Sequence, residues 1–399
     1  MKALPRTAAL QKLFAVLLFL AILFLMFYLS FHVLGPFCQH ILAQQLQAVT
    51  NRLSRMLLAA HISPAVQALI VQGICAGIGS ILSFLPTIAI LFFFLYLLKS
   101  SNYLDYMSVL LDRPLRNLGL SGQSILPILI GFSCSVPAIL AAGEIPQKRH
   151  RMITVLMIPF MSCSAKIPVY AAFIAAFFPL YRIWVFLGLY GLGIATALTL
   201  ARIVRRRNLP AADHHPRHPH IKLRRPSVLE ILLPVAGHVL GFVKKAFTVI
   251  LISSIIIWFL QNFNFSFQMT NSPDDSILAT LGKKIAPAFA PAGFGDWRAA
   301  TAIFTGLSAK ETILSTLAVL AQSAPGGSLP NLLCEIFTPL SAISFLIFCL
   351  LYVPCVASLA AIRQVFGAWR YAIAVGISQI AFAWLTSTLF YQVCNLIVS

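Results

Sequence analysis

Apolar runs of membrane-spanning length, separated by short loops rich in Lys and Arg, set the pattern of this chain. The first run, from Leu13 to Val33, is longer than a signal-peptide core and has no small-residue cleavage site after it, so it reads as a retained first span. Residues 39–62 mix leucines with Gln44, Gln45, Gln47, Asn51, Arg52 and Arg55, which predicts an amphipathic helix on the outer face. The run 67–98, interrupted by Gly73, Gly77, Gly79 and Pro86, returns the chain to the inside. Residues 103–117 carry Asp105, Asp112, Arg113 and Arg116 on one side and end at Gly119, the pattern of a helix lying in the inner interface. Further apolar runs at 154–178, 181–203, 244–262, 341–362 and 370–396 complete a set of seven spans.

Two more apolar stretches do not fit a simple crossing. One contains Gly131-Phe-Ser-Cys134-Ser-Val-Pro137, and the other contains Ile303-Phe-Thr-Gly306-Leu-Ser-Ala-Lys310-Glu311. Breaks of this kind free backbone groups that lipid cannot satisfy, so they belong where protein or a cavity surrounds them. If 123–142 crossed fully, the basic loops at 144–151 and 202–225 would both face outward, against the positive-inside bias. Making 121–142 a re-entrant hairpin from the inside, and 297–322 one from the outside, places most of the 29 Lys and Arg in the cytoplasm. Lys2, Arg6 and Lys12 put the N-terminus there too. Each hairpin is followed by a broken helix with a cysteine beside a break: 152–178, through Met161-Ser162-Cys163, and 341–362, through Val353-Pro354-Cys355.

The expected fold is thus an all-α polytopic membrane protein, with about seven transmembrane helices, two re-entrant hairpins in an inverted repeat, and amphipathic interfacial helices. Its parts are 1–66, the first span and outer amphipathic helix; 67–203, the first repeat; 204–226, a basic cytoplasmic loop; and 227–399, the second repeat.

Composition agrees. Apolar residues form 59% of the chain and charged ones 10%, against roughly 25% in a soluble domain. The net charge of +19 sits mainly in loops, which argues for membrane topology and against a nucleic-acid surface. The eight cysteines (Cys38, Cys75, Cys134, Cys163, Cys334, Cys349, Cys355, Cys394) lie mostly in apolar runs and form no disulfide framework. Cys75, Cys349 and Cys394 are expected to pack as small hydrophobes. No phosphate-loop motif occurs: the pair Gly282-Lys283 is followed by Lys284, so no nucleotide site is expected in this chain. No catalytic triad, carboxylate pair or zinc motif occurs either, and the chain reads as a non-enzyme.

Chemistry concentrates at the breaks. Cys134, Cys163 and Cys355, with Ser133, Ser135 and Ser162, offer thiols, hydroxyls and freed carbonyls that could line a divalent-metal path. The alternative is that small cysteines merely let helices approach. Glu311 is a candidate cation ligand or gate; Lys310 and Lys166 are candidate gate or structural charges, each costing roughly 2.5–3.5 kcal/mol at mid-membrane depth. A mutual pairing of Lys310 with Glu311 is the structural alternative. Gly131, Pro137, Gly306 and Pro354 are the expected break points. The tract Asp213-His-His-Pro-Arg-His-Pro-His220 could collect metal ions, or serve as a solvated linker.

With Phe84-Leu-Pro86, Asn117-Leu-Gly-Leu-Ser-Gly122, the two breaks above, Pro159-Phe-Met-Ser-Cys-Ser-Ala-Lys-Ile-Pro-Val-Tyr170, Ala286-Pro-Ala-Phe-Ala-Pro291 and Tyr352-Val-Pro-Cys-Val-Ala357, the chain resembles the membrane part of the ferrous iron transport protein B family, FeoB. The resemblance runs from Gly77 to the C-terminus. It implies two Gate segments related to nucleoside-recognition domains and import of Fe2+ as transported substrate across the bacterial cytoplasmic (inner) membrane. Cys134, Cys163 and Cys355 fall at the positions of the family's gate cysteines. The family normally carries a G-protein domain before the first span, so GTP coupling is expected to be lost or supplied by a separate GTPase, with the basic loop a docking surface for it or for a small cytoplasmic partner. Ser135 replaces an asparagine of the family pattern, Lys99-Ser-Ser-Asn-Tyr103 stands where acidic and Gly-Tyr features are usual, and the central loop is His/Arg-rich instead of Glu-Leu-Pro-Pro-Tyr. The expected partners are the lipid bilayer, Fe2+ and a further copy in a homo-oligomer, with no nucleic acid. The rival functions are a nucleoside or other organic-solute carrier, and a membrane component that acts only with a separate GTPase.

Overall fold

A computed structural model of the chain describes residues 6–61, 63–116, 118–207, 227–270, 275–322 and 328–398. The tract 213–220 and most of the basic loop lie outside these residues. Among the described residues the structure is helical, with an isolated bridge between Phe263 and Met269 as its only β pairing. The chain divides into two compact units.

The first unit comprises Met1–Asn117, Ser121–Gln123 and Ala212–Ile255. Helix α1 (Arg6–Tyr28) passes through a π turn at Leu29–Val33 directly into α2 (Leu34–Ala59). The expected first span and amphipathic helix are therefore joined end to end. Gly35-Pro36 does not stop the run because the proline falls in the first turn of α2, where its missing N–H costs little. A short α3 (Pro64–Ala68) and a second π turn lead to α4 (Ala76–Ser100), and α5 (Tyr103–Arg116) follows. Gln39 Nε2 donates to Thr87 Oγ1 at 2.9 Å, tying α2 to α4. Tyr103 ties α5 to α1, its hydroxyl donating to the Ala15 carbonyl at 3.2 Å and its ring lying 6.0 Å from that of Phe19. The Asp112 carboxylate holds the chain beyond α5, accepting from Arg116 Nε at 2.6 Å and Gly122 N at 3.0 Å.

The second unit comprises Leu118–Leu120, Ser124–Ala211 and Ile256–Ser399. Its elements are α6 (Ile125–Gly131), α7 (Ser135–Gly143), α8 (Lys148–Met157), α9 (Ile167–Phe177), α10 (Arg182–Arg207), the last turns of α11 (Val228–Asn262), α12 (Ile277–Phe289), α13 (Trp297–Thr305), α14 (Thr312–Gln322), α15 (Leu329–Ile336), α16 (Pro339–Leu351), α17 (Val356–Phe366) and α18 (Trp369–Val398). Helix α16 is its axis. It starts on a reciprocal cap between Thr338 and Ser341, and every residue from Ser344 to Leu351 is buried. Phe345 stacks on Phe173 of α9 at 5.0 Å and meets Phe294 edge-on at 5.4 Å, while Phe348 meets Phe289 at 5.3 Å. This aromatic core fixes α16 against α9 on one side and the end of α12 on the other.

Five described stretches are long and apolar enough to cross a membrane: Phe14–Ala59, Lys148–Phe177, Arg182–Arg205, Pro339–Phe366 and Trp369–Ile397. The expected spans 67–98 and 244–262 appear within shorter apolar segments, among them Leu85–Ser100 and Leu251–Asn262.

Candidate functional site

Four interruptions in the second unit build the site. Helix α6 ends at Gly131; Cys134 is extended (φ −154°, ψ 127°) and caps α7, whose third residue is Pro137. Between α8 and α9, Pro159 opens a single tight turn, after which Met161 and Cys163 are extended. Helix α13 ends at Thr305 and α14 restarts at Thr312, leaving Gly306–Glu311 as the break. Between α16 and α17, Tyr352 is extended and Pro354 follows within the break, which ends on Cys355 at the head of α17. Pro354 accounts for part of this four-residue break, since it keeps its predecessor Val353 out of the helical region.

The breaks are laced to each other through main chain. Ser164 N, one residue past Cys163, donates to the Ser133 carbonyl at 3.2 Å, and the Ser164 hydroxyl reaches the same oxygen at 3.0 Å. Val356 N, one residue past Cys355, donates to the Leu307 carbonyl at 2.9 Å. The same device thus joins each short helix pair to the broken helix that follows it. Helices α7 and α17 pack along one another: a Cβ on Gly143 at the end of α7 would lie 2.9 Å from Val365 Cγ2 near the end of α17. They run parallel, which puts their heads, Cys134 and Cys355, at one end.

Carbonyls freed where α16 stops are taken by lysine. Lys166 Nζ donates to the Leu350 carbonyl at 2.7 Å, and Lys310 Nζ to the Val353 carbonyl at 2.6 Å. Both side chains are buried, and the Lys310 ammonium also sits over the Tyr352 ring, 3.0 Å from its centroid. Lys310 turns to this carbonyl and ring, and no ion pair joins it to Glu311. Gly306 makes room for the arrangement, because any Cβ there would strike the Tyr352 hydroxyl and Ile313.

The three thiols lie within electrostatic range of one another. Cys134 lies within electrostatic range of Cys355, Cys163 and Glu311, and both lysines lie within range of Cys163 and Cys355. Cys355 Sγ and Ser358 Oγ share a hydrogen bond at 3.3 Å. Around them the hydroxyls of Ser133 and Tyr352 are buried with no hydrogen-bond partner within the protein, and those of Ser162 and Tyr170 are buried beside each other. Ser135 occupies the first turn of α7, also buried. Among the described residues, no three His, Cys, Asp or Glu side chains are placed to hold a metal ion together.

Two members of this cluster were given no role by the sequence reading: Tyr170 and Tyr352 enter it only within the family motifs, although Tyr352 lies three residues before Cys355. Cys349, expected to pack as a small hydrophobe, is buried on α16 in electrostatic range of Lys310 and Lys166.

Long apolar helices interrupted at depth, with buried lysines on freed carbonyls, define an all-α polytopic membrane protein. The chain matches the Gate family, described as nucleoside recognition, over residues 81–177 and 243–369, and it belongs to that family as the membrane part of FeoB-type proteins. It is 36% identical over 386 residues to a Staphylococcus aureus protein named Fe(2+) transporter FeoB, which covers 96% of this chain and 57% of that protein. A Methanocaldococcus jannaschii protein of the same name is 31% identical over 395 residues, with the same shares covered. A Porphyromonas gingivalis protein named Fe(2+) transport protein A/Fe(2+) transporter FeoB fusion protein is 32% identical over 377 residues, 82% of this chain and 44% of that one. The chain therefore spans little more than half the length of the first two relatives and less than half of the fusion protein. No solved structure matches it.

Proposed function

We propose that this chain carries a divalent cation, Fe2+ by the name its relatives bear, across the bacterial inner membrane. The observation that carries the reading is that Cys134, Cys163 and Cys355, from breaks as far apart as α6–α7 and α16–α17, lie within electrostatic range of one another beside the buried hydroxyls of Ser133 and Tyr352. A borderline cation accepts such thiol and oxygen donors in turn, and a series of weak, mixed sites lets it leave as readily as it enters. Ser133, Ser135 and Ser162 supply oxygens, Glu311 an acidic side chain near Cys134, and Lys166 and Lys310 the positive charge that gates or anchors the path. The breaks at Gly131, Pro137, Gly306 and Pro354 are read as two re-entrant hairpins and two broken spans in an inverted repeat, with the N-terminus cytoplasmic and seven full spans. The fusion of one relative to Fe(2+) transport protein A supports a small cytoplasmic partner, and a separate GTPase is proposed to supply coupling.

Purified protein in liposomes is expected to admit Fe(II) under reducing conditions, and the double variant Cys134→Ser, Cys163→Ser to lose at least about tenfold of that flux, the scale of one lost metal-ligand contact. Equal flux in the variant removes the thiols from the mechanism. The Gate description favours one rival, an organic-solute carrier; uridine uptake that Mn(II) and Zn(II) leave untouched would establish it in place of the metal.

A further inference from the structure

Helix α18 carries a carboxamide that nothing above uses. Gln379 is 3% exposed, and neither its oxygen nor its nitrogen has a hydrogen-bond partner. It lies ten residues into α18, about 15 Å along the helix axis, near the depth of a bilayer midplane. Its surroundings are set by its neighbours three residues to either side, which share its face. A Cβ on Gly376 would lie 3.2 Å from Val353 Cγ2, in the break before α17. The ring of Phe382 meets that of Phe160 edge-on at 6.0 Å, in the turn leading to Cys163. Gln379 therefore stands between the two broken helices, on the helix that touches both.

A buried amide in this position is expensive. Leaving a donor or acceptor unpaired carries a desolvation penalty, and a leucine would fill the space without it. Polar groups kept inside a membrane segment face a partner or a pathway. The Val353 and Leu350 carbonyls, at the break that Gly376 packs against, are taken by Lys310 and Lys166.

We propose that Gln379 is a binding residue of the cation passage, its side-chain oxygen completing a donor set with the thiols of Cys163 and Cys355 as the ion moves between the two broken helices. This rests on the transport reading above and adds a neutral oxygen donor to it. A carbonyl oxygen without charge holds a divalent ion less firmly than a carboxylate does, which suits a point of transit.

The test compares wild type, Gln379→Leu, Gln379→Asn and Gln379→Glu in liposomes, with Mn(II) as the probe ion, and measures thermal midpoints in detergent. Gln379→Leu is expected to raise the KM for Mn(II) about tenfold while its thermal midpoint equals or exceeds that of wild type. Gln379→Glu is expected to lower the KM and slow the maximal rate, because a charged oxygen releases the ion less readily. A wild-type KM in Gln379→Leu, with a lower midpoint, overturns the proposal and makes the amide a packing residue. Should Gln379→Leu fail to fold, the shortened amide of Gln379→Asn decides: unchanged KM overturns the proposal and a raised one supports it. Wild-type protein that passes no Mn(II) or Fe(II) overturns both this inference and the transport reading, whereas wild-type flux with indifferent variants overturns this inference alone.

Discussion

Lys166 and Lys310 bring two amines into electrostatic range of Cys163 and Cys355 by filling carbonyls that the end of α16 leaves open. Each removes a backbone penalty, and on the transport reading a protonated lysine here also repels a passing cation. At an effective dielectric near 20, a unit charge and a divalent ion several Å apart repel by a few kcal/mol, on the order of the discrimination a gate needs. Lys310→Met is therefore expected to lower the KM for Mn(II) severalfold in liposomes; an unchanged KM would confine Lys310 to supporting α16. At this scale the sequence was informative for type and weak for partner. A lysine amid apolar residues announced itself. That its target would be a carbonyl 43 residues away, with the Tyr352 ring beneath it and Glu311 bypassed, depended on a tertiary approach that spacing does not encode. Gln379 did carry a readable signal, an amide in the apolar first half of α18, but its burial depended on which helices α18 meets.

Elements with their own start and stop chemistry were the easiest to read. The expected 297–322 segment coincides with α13 and α14, since Asp296 caps the first and Gly306 ends it. The join of α1 to α2 was hidden because Gly35-Pro36 resembles a terminator, and only the π turn before it shows how the proline is absorbed. Gly306 is the tightest point among these breaks. Gly306→Ala must displace the Tyr352 ring or Ile313, and is expected to cost about 1–3 kcal/mol, seen as a lower thermal midpoint in detergent. A midpoint equal to wild type would mean that the ring moves aside freely.

For the whole molecule, the all-α membrane class was legible from composition and run length, because hydrocarbon thickness leaves few alternatives. The division into two units was not. The first unit draws on the start of the expected first repeat and the start of the second, since compactness depends on which helices meet and not on where a repeat begins. Orientation rests on loop charge. Single cysteines in a Cys-free background at Gln147 and at Ser328 are expected to react with an impermeant thiol reagent from opposite sides of sealed vesicles. Labelling of both from one side would remove the opposed-hairpin arrangement.

The fastening between each short helix pair and its broken helix belongs to the peptide unit itself: an amide after a cysteine, a carbonyl at a kink. Ser164 and Val356 make the same bond with unlike side chains, so ordinary substitution at either place leaves the stitch intact. Letters there are free to drift while the shape persists, and only a residue without an N–H, such as proline at 356, can cut the thread.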